Sequence, residues 1–421
     1  MKISDKFPKY TQFNPKIPVY CVTPNEGGLH RFFDTSPFSP SGRYIAVLRF
    51  PQEKRQPTWG ESAKVVLIDL HSGMEKVVYE TMGWEPQLGA NINWGISDNE
   101  LYFNDTDTNT WMPFCVKLNP LTGEKQRLEG TIYHISPDGK HIISSCMRRM
   151  RRTQFGYGVM VPDEYVPRNF GFKKDDGLYI TDTHTGKCRL MVSIKDVFDK
   201  AEPLIDKSKY EDGECYGFHC KYNPQGDKIM FSMRWFKTND PQPWNMLYQR
   251  NVRYWIITMN SDGSNIKVAV GPDEWDKHGH HTNWYPNGKM LSMNLCIDGD
   301  GKMYLVKADY DGGNYGKILK TIPGSGHPTI HPNGRNILTD AYRAEPVSFG
   351  DGTVPLRFIN IQNETEETVV RINVDNDAME KYPSMRVDPH PAWAKNFRYV
   401  AFNGFVDGKR RVYIADFSSL L

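Results

Sequence analysis

The stretch YNPQGDKIMFSM, residues 222–233, joins a turn signal to a strand signal, and variants of it recur along the chain. Pro and Gly supply the backbone angles of a tight turn, and the apolar residues that follow are typical of a strand. The other copies are FSPSGRYIAVLRF (38–50), GISDNELYFND (95–105), ISPDGKHIISSC (135–146), WYPNGKMLSMNL (284–295), IHPNGRNILTDA (330–341) and WAKNFRYVAFNG (393–404). The chain therefore repeats one unit seven times, and each unit is taken to open at its turn.

Each copy is followed by further strands around an Asp- and Gly-containing loop, as in VVLIDLHSGMEKVVY (65–79). One such sheet cannot bury both of its faces, whereas seven sheets packed radially can. The pattern predicts an all-β fold, a seven-bladed β-propeller that forms a single domain over residues 1–421. The blades are expected to open near residues 33, 90, 130, 215, 278, 324 and 385. The last copy ends without a fourth strand, so PVYCVTP (18–24) is predicted to supply it and close the ring.

Two long inserts, 147–176 and 234–252, interrupt the repeat. Loops of that length inside a compact fold are usually functional or mobile. The first insert contains the arginine-rich run 148–152, within CMRRMRRTQFGYG (146–158). These arginines could form subsites for an anionic substrate or lie on a solvated basic loop, and the sequence leaves both interpretations open.

Composition limits the partners. The 52 basic and 50 acidic residues give a formal net charge of +2, which offers no overall attraction to nucleic acid. No apolar run is long enough to span a membrane. Neither nucleic acid nor a membrane is therefore expected as a partner. The seven cysteines form no CxxC pair and are interpreted as reduced. We expect a cytoplasmic protein, or a periplasmic one if a signal segment has been removed.

Four histidines share one register in the repeat. His219, His281 and His327 each lie five residues before a Pro and seven before a Gly, and His390 has the same position in the last copy. The chain has only 12 histidines. Because the inner strands of a propeller surround a central channel, we expect the four imidazoles to meet at one channel mouth. Neutral imidazole is both a metal ligand and a base near pH 7, although polar residues that merely line a wet channel would give the same pattern.

Other candidates surround this register. His280 precedes His281, and strand alternation predicts that it faces the opposite side and acts only as an outer partner. Asp388, two residues before His390, could join a metal site or lie in solvent. Arg253, in NVRYWIITMNSDG (251–263), could bind a carboxylate with its planar fork or form a surface ion pair. No evident carboxylate pair supports a glycoside hydrolase.

Several segments resemble the oligogalacturonate lyase family, propeller enzymes that cleave short pectic uronides by β-elimination with a divalent metal, typically manganese. The segments are GLHRFF (28–33), GFHCKYNP (217–224), RYWIITMNSDG (253–263), HTNWYPNG (281–288), DPHPAW (388–393) and RVYIADF (411–417). The likeness is remote but extends over nearly the whole chain. Ulvan lyases are more distant propeller relatives, and their His and Tyr site is not matched.

The resemblance implies roles for individual residues. His281 corresponds to the general base and Arg253 to the active-site arginine. Binding of substrate is expected from His219, His30 and Arg31. Binding of metal is expected from His327, His390 and Asp388. Asp388 stands where the family has a histidine, and Met385 falls on the position of a glutamine ligand. A thioether is a poor ligand for manganese. Mn²⁺ is the expected ion, with Zn²⁺ and Ca²⁺ as alternatives.

The sequence therefore predicts a metal-assisted lyase that acts on a uronate-containing glycan, with an acidic oligosaccharide or polysaccharide as its partner. The alternative is a binding propeller of the TolB type, without catalysis, for a glycan or a protein partner.

Overall fold

Seven small antiparallel sheets are arranged in a ring, which confirms the predicted seven-bladed β-propeller. The protein is described by a computed structural model over residues 3–237 and 252–421. No helix in these two segments is both long enough and apolar enough to cross a membrane.

The N-terminal strand β1 (Val19–Cys21) joins the last blade, and the first three blades follow along the chain. Their strands are β2 (Tyr44–Arg49), β3 (Ala63–Asp69) and β4 (Met74–Thr81) in blade one; β5 (Asn93–Trp94), β6 (Leu101–Asp107), β7 (Met112–Leu118) and β8 (Lys125–Leu128) in blade two; β9 (His134–Ile135), β10 (His141–Ser144), β11 (Gly177–Asp182) and β12 (Cys188–Ser193) in blade three. In blade one the innermost strand is reduced to a bridge between Phe38 and Ile45.

The other four blades contain the histidine register. Their strands are β13 (Gly213–Tyr222), β14 (Lys228–Lys237), β15 (Val252–Asn260) and β16 (Lys267–Val270) in blade four; β17 (Gly279–Trp284), β18 (Met290–Leu295), β19 (Tyr304–Asp309) and β20 (Gly316–Lys317) in blade five; β21 (Thr329–Ile330), β22 (Asn336–Thr339), β23 (Thr353–Asn360) and β24 (Thr365–Asn373) in blade six; β25 (Ala392–Trp393), β26 (Tyr399–Val406) and β27 (Lys409–Asp416) in blade seven.

Strand β1 closes the ring, as predicted. It pairs antiparallel with β27, with Val19 opposite Ala415 and Cys21 opposite Tyr413. Val19 is 2% exposed and packs in one apolar cluster with Val400 of the same blade. The fourth strand of the last blade therefore comes from the other end of the chain, and its apolar side chains seal the seam.

Each turn motif joins the innermost strand of its blade to the second strand. In blade four, Pro224 and Gly226 lie between β13 and β14, so the repeat unit begins one strand before the turn rather than at it. The histidine register consequently falls on or just before the innermost strands. Apolar faces of successive blades pack on each other, as Leu305 of blade five does in a cluster with Ile337 and Ile359 of blade six.

Helices are few and short. They are α1 (Ile194–Lys200), α2 (Pro272–Trp275) and α3 (Ala378–Lys381), with 3-10 turns at Arg149–Arg152, Asp163–Tyr165, Lys207–Lys209 and Pro383–Met385. The first two of these turns lie in insert 147–176. The second predicted insert is shorter than expected at its ends, because residues 234–237 continue β14 and Val252 begins β15. Its residues 238–251 lie outside the described part of the chain.

Candidate active site in the central channel

The four register histidines meet around the ring of Phe32 in the central channel. The ring centroid of Phe32 lies 5.2 Å from that of His219, 6.0 Å from His281, 5.5 Å from His327 and 4.7 Å from His390. The His281 and His327 rings are 3.9 Å apart, and the His327 and His390 rings 4.3 Å apart. Side chains from four blades are thus brought to one place.

Backbone strain accompanies this convergence. His281 and His390 have φ angles of 60° and 48°, in the left-handed region that side chains other than Gly seldom adopt. A register irregularity between His280 and Asn283 breaks the strand alternation, so His280 and His281 both line the same cavity. The expectation that His280 faces away is therefore wrong. Strain of this kind persists where the surrounding structure enforces it, often at functional sites.

Asp340 holds His327 and His390 in place. Its Oδ1 accepts hydrogen bonds from the backbone N–H of His327 at 2.7 Å and from its Nδ1 at 2.9 Å, while Oδ2 accepts the backbone N–H of His390 at 3.0 Å. Gly326 permits this approach, since a Cβ there would lie 2.3 Å from the Asp340 carboxylate. Because Nδ1 of His327 bears the proton in this hydrogen bond, its Nε2 keeps a lone pair that can bind a metal ion.

A candidate metal site lies beside this carboxylate. One ligand atom from each of His327, Asp388 and His390 lies within 4.8 Å of the other two, and the three residues are 1%, 8% and 1% exposed. Neither ring nitrogen of His390 has a hydrogen-bond partner among the described residues. Buried polar atoms without partners are costly and often mark the place of an ion or a water molecule. Two imidazoles and one carboxylate fit Mn²⁺ or Zn²⁺ better than Ca²⁺, which prefers oxygen ligands only.

His281 and Tyr342 form a hydrogen-bonded pair at the cavity wall. Nδ1 of His281 lies 2.7 Å from the carbonyl oxygen of Gly326, so this nitrogen bears the proton. Nε2 of His281 then accepts a hydrogen bond from the Tyr342 hydroxyl, at a distance of 2.9 Å. Burial, together with the neighbouring His327 and His280, lowers the pKa of His281 well below 6.5, whereas burial raises the pKa of Tyr342. The pair is thus a neutral base next to a protonated phenol.

The cavity in front of this pair has a volume of about 280 Å³, and its wall includes His219, Tyr157 and Arg234. His219 stacks on Phe218 with a centroid distance of 3.7 Å, and its Nε2 has no partner among the described residues. The guanidinium carbon of Arg234 lies 3.6 Å from the same Phe218 ring, and its Nη1 donates to Gln154 at 2.8 Å. A fixed cation and unpartnered imidazole nitrogens suit a polar, anionic ligand.

Arg253 lies elsewhere. Its Nε is 3.3 Å from Oδ2 of Asp276, and both side chains are about one-third exposed, at 35% and 37%. The adjacent Tyr254 lines the cavity, so strand alternation turns Arg253 to the other face of β15. Arg234, on the neighbouring strand, is the arginine that lines the cavity, and the structure does not bring Arg253 to it.

His30 and Arg31 are buried beneath the cavity, at 1% and 4% exposed. Arg31 pairs with Asp34 at 3.1 Å, and its guanidinium lies 4.3 Å from the ring centroid of Tyr133. Phe32, the next residue in the chain, has the side chain that reaches the cavity. His30 and Arg31 are not part of the cavity wall, and their expected role in substrate binding stays a prediction.

The arginine-rich run 148–152 fits neither of its two interpretations. Arg151 and Arg152 are 7% and 5% exposed and donate to carbonyl oxygens of the same insert, including that of Pro167 at 3.0 Å from Arg152. Arg149 pairs with Asp176 at 3.3 Å. The run therefore holds the insert together. The insert contributes Gln154 and Tyr157 to the cavity wall instead.

Four residues of the site are absent from the sequence prediction: Phe32, Arg234, Asp340 and Tyr342. A signal for Asp340 exists, because β21 and β22 pair with Thr329 opposite Leu338, and the same register places His327 opposite Asp340. Phe32 lies within the quoted GLHRFF segment, but no strand pattern predicts that this segment enters the channel. Tyr342 follows β22 by three residues and has no local signal.

Comparison with known proteins supports the fold assignment. No protein-family model matches the chain, and no curated protein is similar to it in sequence. Among solved structures, an oligogalacturonate lyase in complex with manganese is similar over 99% of this chain and 98% of its own, with a TM-score of 0.63 and 15% identity. An oligogalacturonate lyase from Vibrio parahaemolyticus is similar over 98% of this chain and 97% of its own, with a TM-score of 0.62 and 15% identity.

A putative TolB from Agrobacterium tumefaciens matches 74% of this chain and 89% of its own at a TM-score of 0.39 and 14% identity, which is too distant to bear on function. The two lyases match the propeller from end to end, and the remote resemblance read from the sequence is confirmed: this chain has the fold of the oligogalacturonate lyases.

Proposed function

We propose that the protein is a lyase that cleaves a uronate-containing oligosaccharide by β-elimination in the histidine cavity. The observation that carries the proposal is the pairing of a neutral His281 with Tyr342 at 2.9 Å, next to an arginine and a group of metal-binding character. The fold shared with oligogalacturonate lyases supports the same reaction class. No described feature specifically favours a binding propeller without catalysis.

The first chemical requirement is a base for the weakly acidic C5 proton of a uronate. Nε2 of His281 has a lone pair because the carbonyl of Gly326 fixes the proton on Nδ1. The lowered pKa keeps this imidazole neutral at neutral pH. A positioned base of this kind contributes roughly 10² to 10⁴ in rate.

The second requirement is stabilisation of the charge that develops on the uronate carboxylate as C5 is deprotonated. Arg234 supplies a fixed cation in the cavity wall, held against Phe218 and Gln154. A divalent ion bound by His327, His390 and Asp388 would add Lewis-acid stabilisation of the same charge. Arg386, whose Nε lies 3.1 Å from Oδ2 of Asp388, keeps that carboxylate oriented.

The third requirement is a proton for the leaving oxygen at C4. Tyr342 stays protonated because burial raises its pKa, so it can donate to that oxygen as the C4–O bond breaks and the C4=C5 double bond forms. His281 then returns the proton taken from C5 to Tyr342. The net change moves one proton from carbon to the leaving group, and both side chains return to their starting states.

The proposal is tested on a panel of acidic glycans that differ in uronate and linkage. Elimination gives an unsaturated product that absorbs in the ultraviolet, and the product masses add up to the substrate mass with no water gained. Products that contain one added water would indicate hydrolysis instead. Absence of any product across the panel, with binding retained, would favour the binding propeller.

A further inference from the structure

A second cavity, of about 480 Å³, lies at the opposite end of the central channel. It is formed where the innermost strands end and the turn motifs begin, as Pro224, Pro286 and Pro332 lie in its wall. Phe33 lines this cavity and Phe32 lines the histidine cavity, with their ring centroids 4.7 Å apart. These two rings lie between the cavities, which share only Lys221 among their lining residues.

The seventh turn departs from the repeat at this cavity. The residue at the Gly position of the motif has φ between 64° and 78° in five blades: Gly42, Gly139, Gly226, Gly288 and Gly334. In blade seven the same position is Phe397, with φ of 54° and 37% of its surface exposed. A bulky side chain in this backbone region is a strained outlier. An aromatic ring is therefore held at the cavity wall where the repeat itself would supply an unstrained Gly.

Phe397 is also fixed by its neighbours. Its carbonyl oxygen accepts a hydrogen bond from Nε2 of His331 at 3.1 Å, and its ring centroid lies 5.6 Å from that of His331 and 6.4 Å from that of Trp393. Trp284 also lies in the wall. The rings come from blades five, six and seven, which keeps their relative positions rigid.

Trp393 provides an unused donor in this wall. The residue is 7% exposed, and its indole Nε1 has no hydrogen-bond acceptor among the described residues. By contrast, Nε1 of Trp284 donates to the carbonyl of Lys221 at 3.3 Å. A buried N–H without an acceptor is destabilising, so an acceptor from a ligand would offset that loss.

We propose that this cavity binds a sugar ring, at a site separate from the histidine cavity. Aromatic faces pack against the C–H face of a pyranose, and the Trp393 N–H donates to a ring hydroxyl. Lys221 lies at the cavity base, where its Nζ is 2.7 Å from Asp34 and donates to the carbonyl of Thr282 at 2.9 Å, so this buried pair places a charged group below the aromatic wall. The ligand class is a carbohydrate, either neutral or acidic.

The test is isothermal titration of the full-length protein with cellotriose, a neutral probe, and with trigalacturonate, an acidic one. We expect at least one of them to bind, and Trp393→Phe and Phe397→Gly each to weaken that binding by roughly tenfold. Phe397→Gly restores the residue of the other turns, so its melting temperature should not fall. Trp59→Phe, on a residue 53% exposed, and Phe13→Gly, at an exposed Phe with φ of 57°, are matched controls that should bind as wild type does.

The same titrations in His281→Ala separate this proposal from the lyase proposal. Binding at the second cavity should be unchanged there, and it should persist even if no glycan is cleaved by wild-type protein. A cellotriose signal would identify a neutral-sugar site. A signal with trigalacturonate alone would identify an acidic-sugar site if Trp393→Phe and Phe397→Gly weaken it, because the histidine cavity is also expected to bind that probe. Failure of both probes to bind, or equal binding by Trp393→Phe, Phe397→Gly and their controls, would overturn the proposal.

Discussion

The hydroxyl of Tyr342 lies 2.9 Å from Nε2 of His281, although 61 residues separate them in the chain and they belong to neighbouring blades. Because Nδ1 of the same imidazole faces the carbonyl of Gly326, this contact fixes which nitrogen acts as the base. The first two predictions concern this pair.

Substitution His281→Ala is expected to lower the rate of elimination by roughly 10² to 10⁴ while the protein stays folded. The side chain is only partly buried at a cavity wall, so its removal leaves no large core void. The measurements are turnover of the active glycan and thermal unfolding, with the exposed His71→Ala as a control. Full activity of His281→Ala would show that another residue is the base, and His219 would be tested next.

Tyr342→Phe is expected to lower turnover without a comparable loss of substrate affinity. The phenyl ring keeps the packing against His327, whose ring centroid lies 5.5 Å from that of Tyr342, but the proton for the leaving oxygen is lost. The decisive comparison uses a substrate with a better leaving group, which needs less protonation. If Tyr342→Phe slows good and poor leaving groups equally, Tyr342 is not the acid.

Arg234→Ala is expected to reduce kcat by roughly 10²-fold or more, because the developing carboxylate charge loses its fixed partner. Arg234→Lys should restore only part of the rate, since a point charge replaces a planar fork. Arg253→Ala is the matched control on the adjacent strand, and its exposed ion pair with Asp276 should contribute little. Loss of activity in Arg253→Ala with full activity in Arg234→Ala would reverse the assignment.

Protein purified without chelator is expected to contain a divalent transition metal, and His390→Ala or Asp388→Asn to lower the metal content. The reason is that His390 is 1% exposed and neither of its ring nitrogens has a hydrogen-bond partner among the described residues, which a bound metal ion would supply. Elemental analysis of these variants and of the exposed control His184→Ala gives the readout. A metal-free wild-type protein that chelator does not inhibit would contradict the metal site.

Glu85 should make stability depend on pH. Burial raises its pKa to about 8 from 4.5, despite a hydrogen bond from the backbone N–H of Gly158. The folded state therefore binds the proton more tightly than the unfolded state. The resulting stability is fully present below pH 4.5 and is lost as the pH rises through about 8.

Urea unfolding of wild type and Glu85→Gln checks this point. The neutral amide cannot ionise, so the free energy of unfolding of wild type should fall relative to Glu85→Gln by on the order of a few kcal/mol between about pH 5 and about pH 9. Glu124→Gln, at an exposed position, should show no such difference from wild type. Parallel pH curves for wild type and Glu85→Gln would contradict the raised pKa.

The repeat determines the propeller because turn and strand chemistry are local. Pro224 and Gly226 fix one turn, and the same two residue types recur in the turns of four other blades. The strand pattern after the turn identifies the remaining two blades, so the blade count follows from the sequence. The convergence of the four histidines can also be predicted from the sequence, because residues at the same position of each repeat lie at the same level of the central channel. Closure by Val19–Cys21 follows from an incomplete last blade.

The rest of the site depends on contacts that no local pattern encodes. Phe32 enters the channel on a segment without strand periodicity, and the bulge between His280 and Asn283 overrides alternation. The choice between Arg234 and Arg253 turns on which face of adjacent strands meets the cavity, a one-residue difference in register. Such features are set by packing among blades rather than by propensity.

In the proposed reaction, His281 removes the C5 proton of a uronate. This step is tested by following ultraviolet absorbance on a polyuronate panel with wild type and His281→Ala side by side. We expect an unsaturated product with wild type and a rate lower by roughly 10² to 10⁴ with His281→Ala, at equal thermal stability. Equal rates for the two proteins, or no unsaturated product from any uronate, would contradict it.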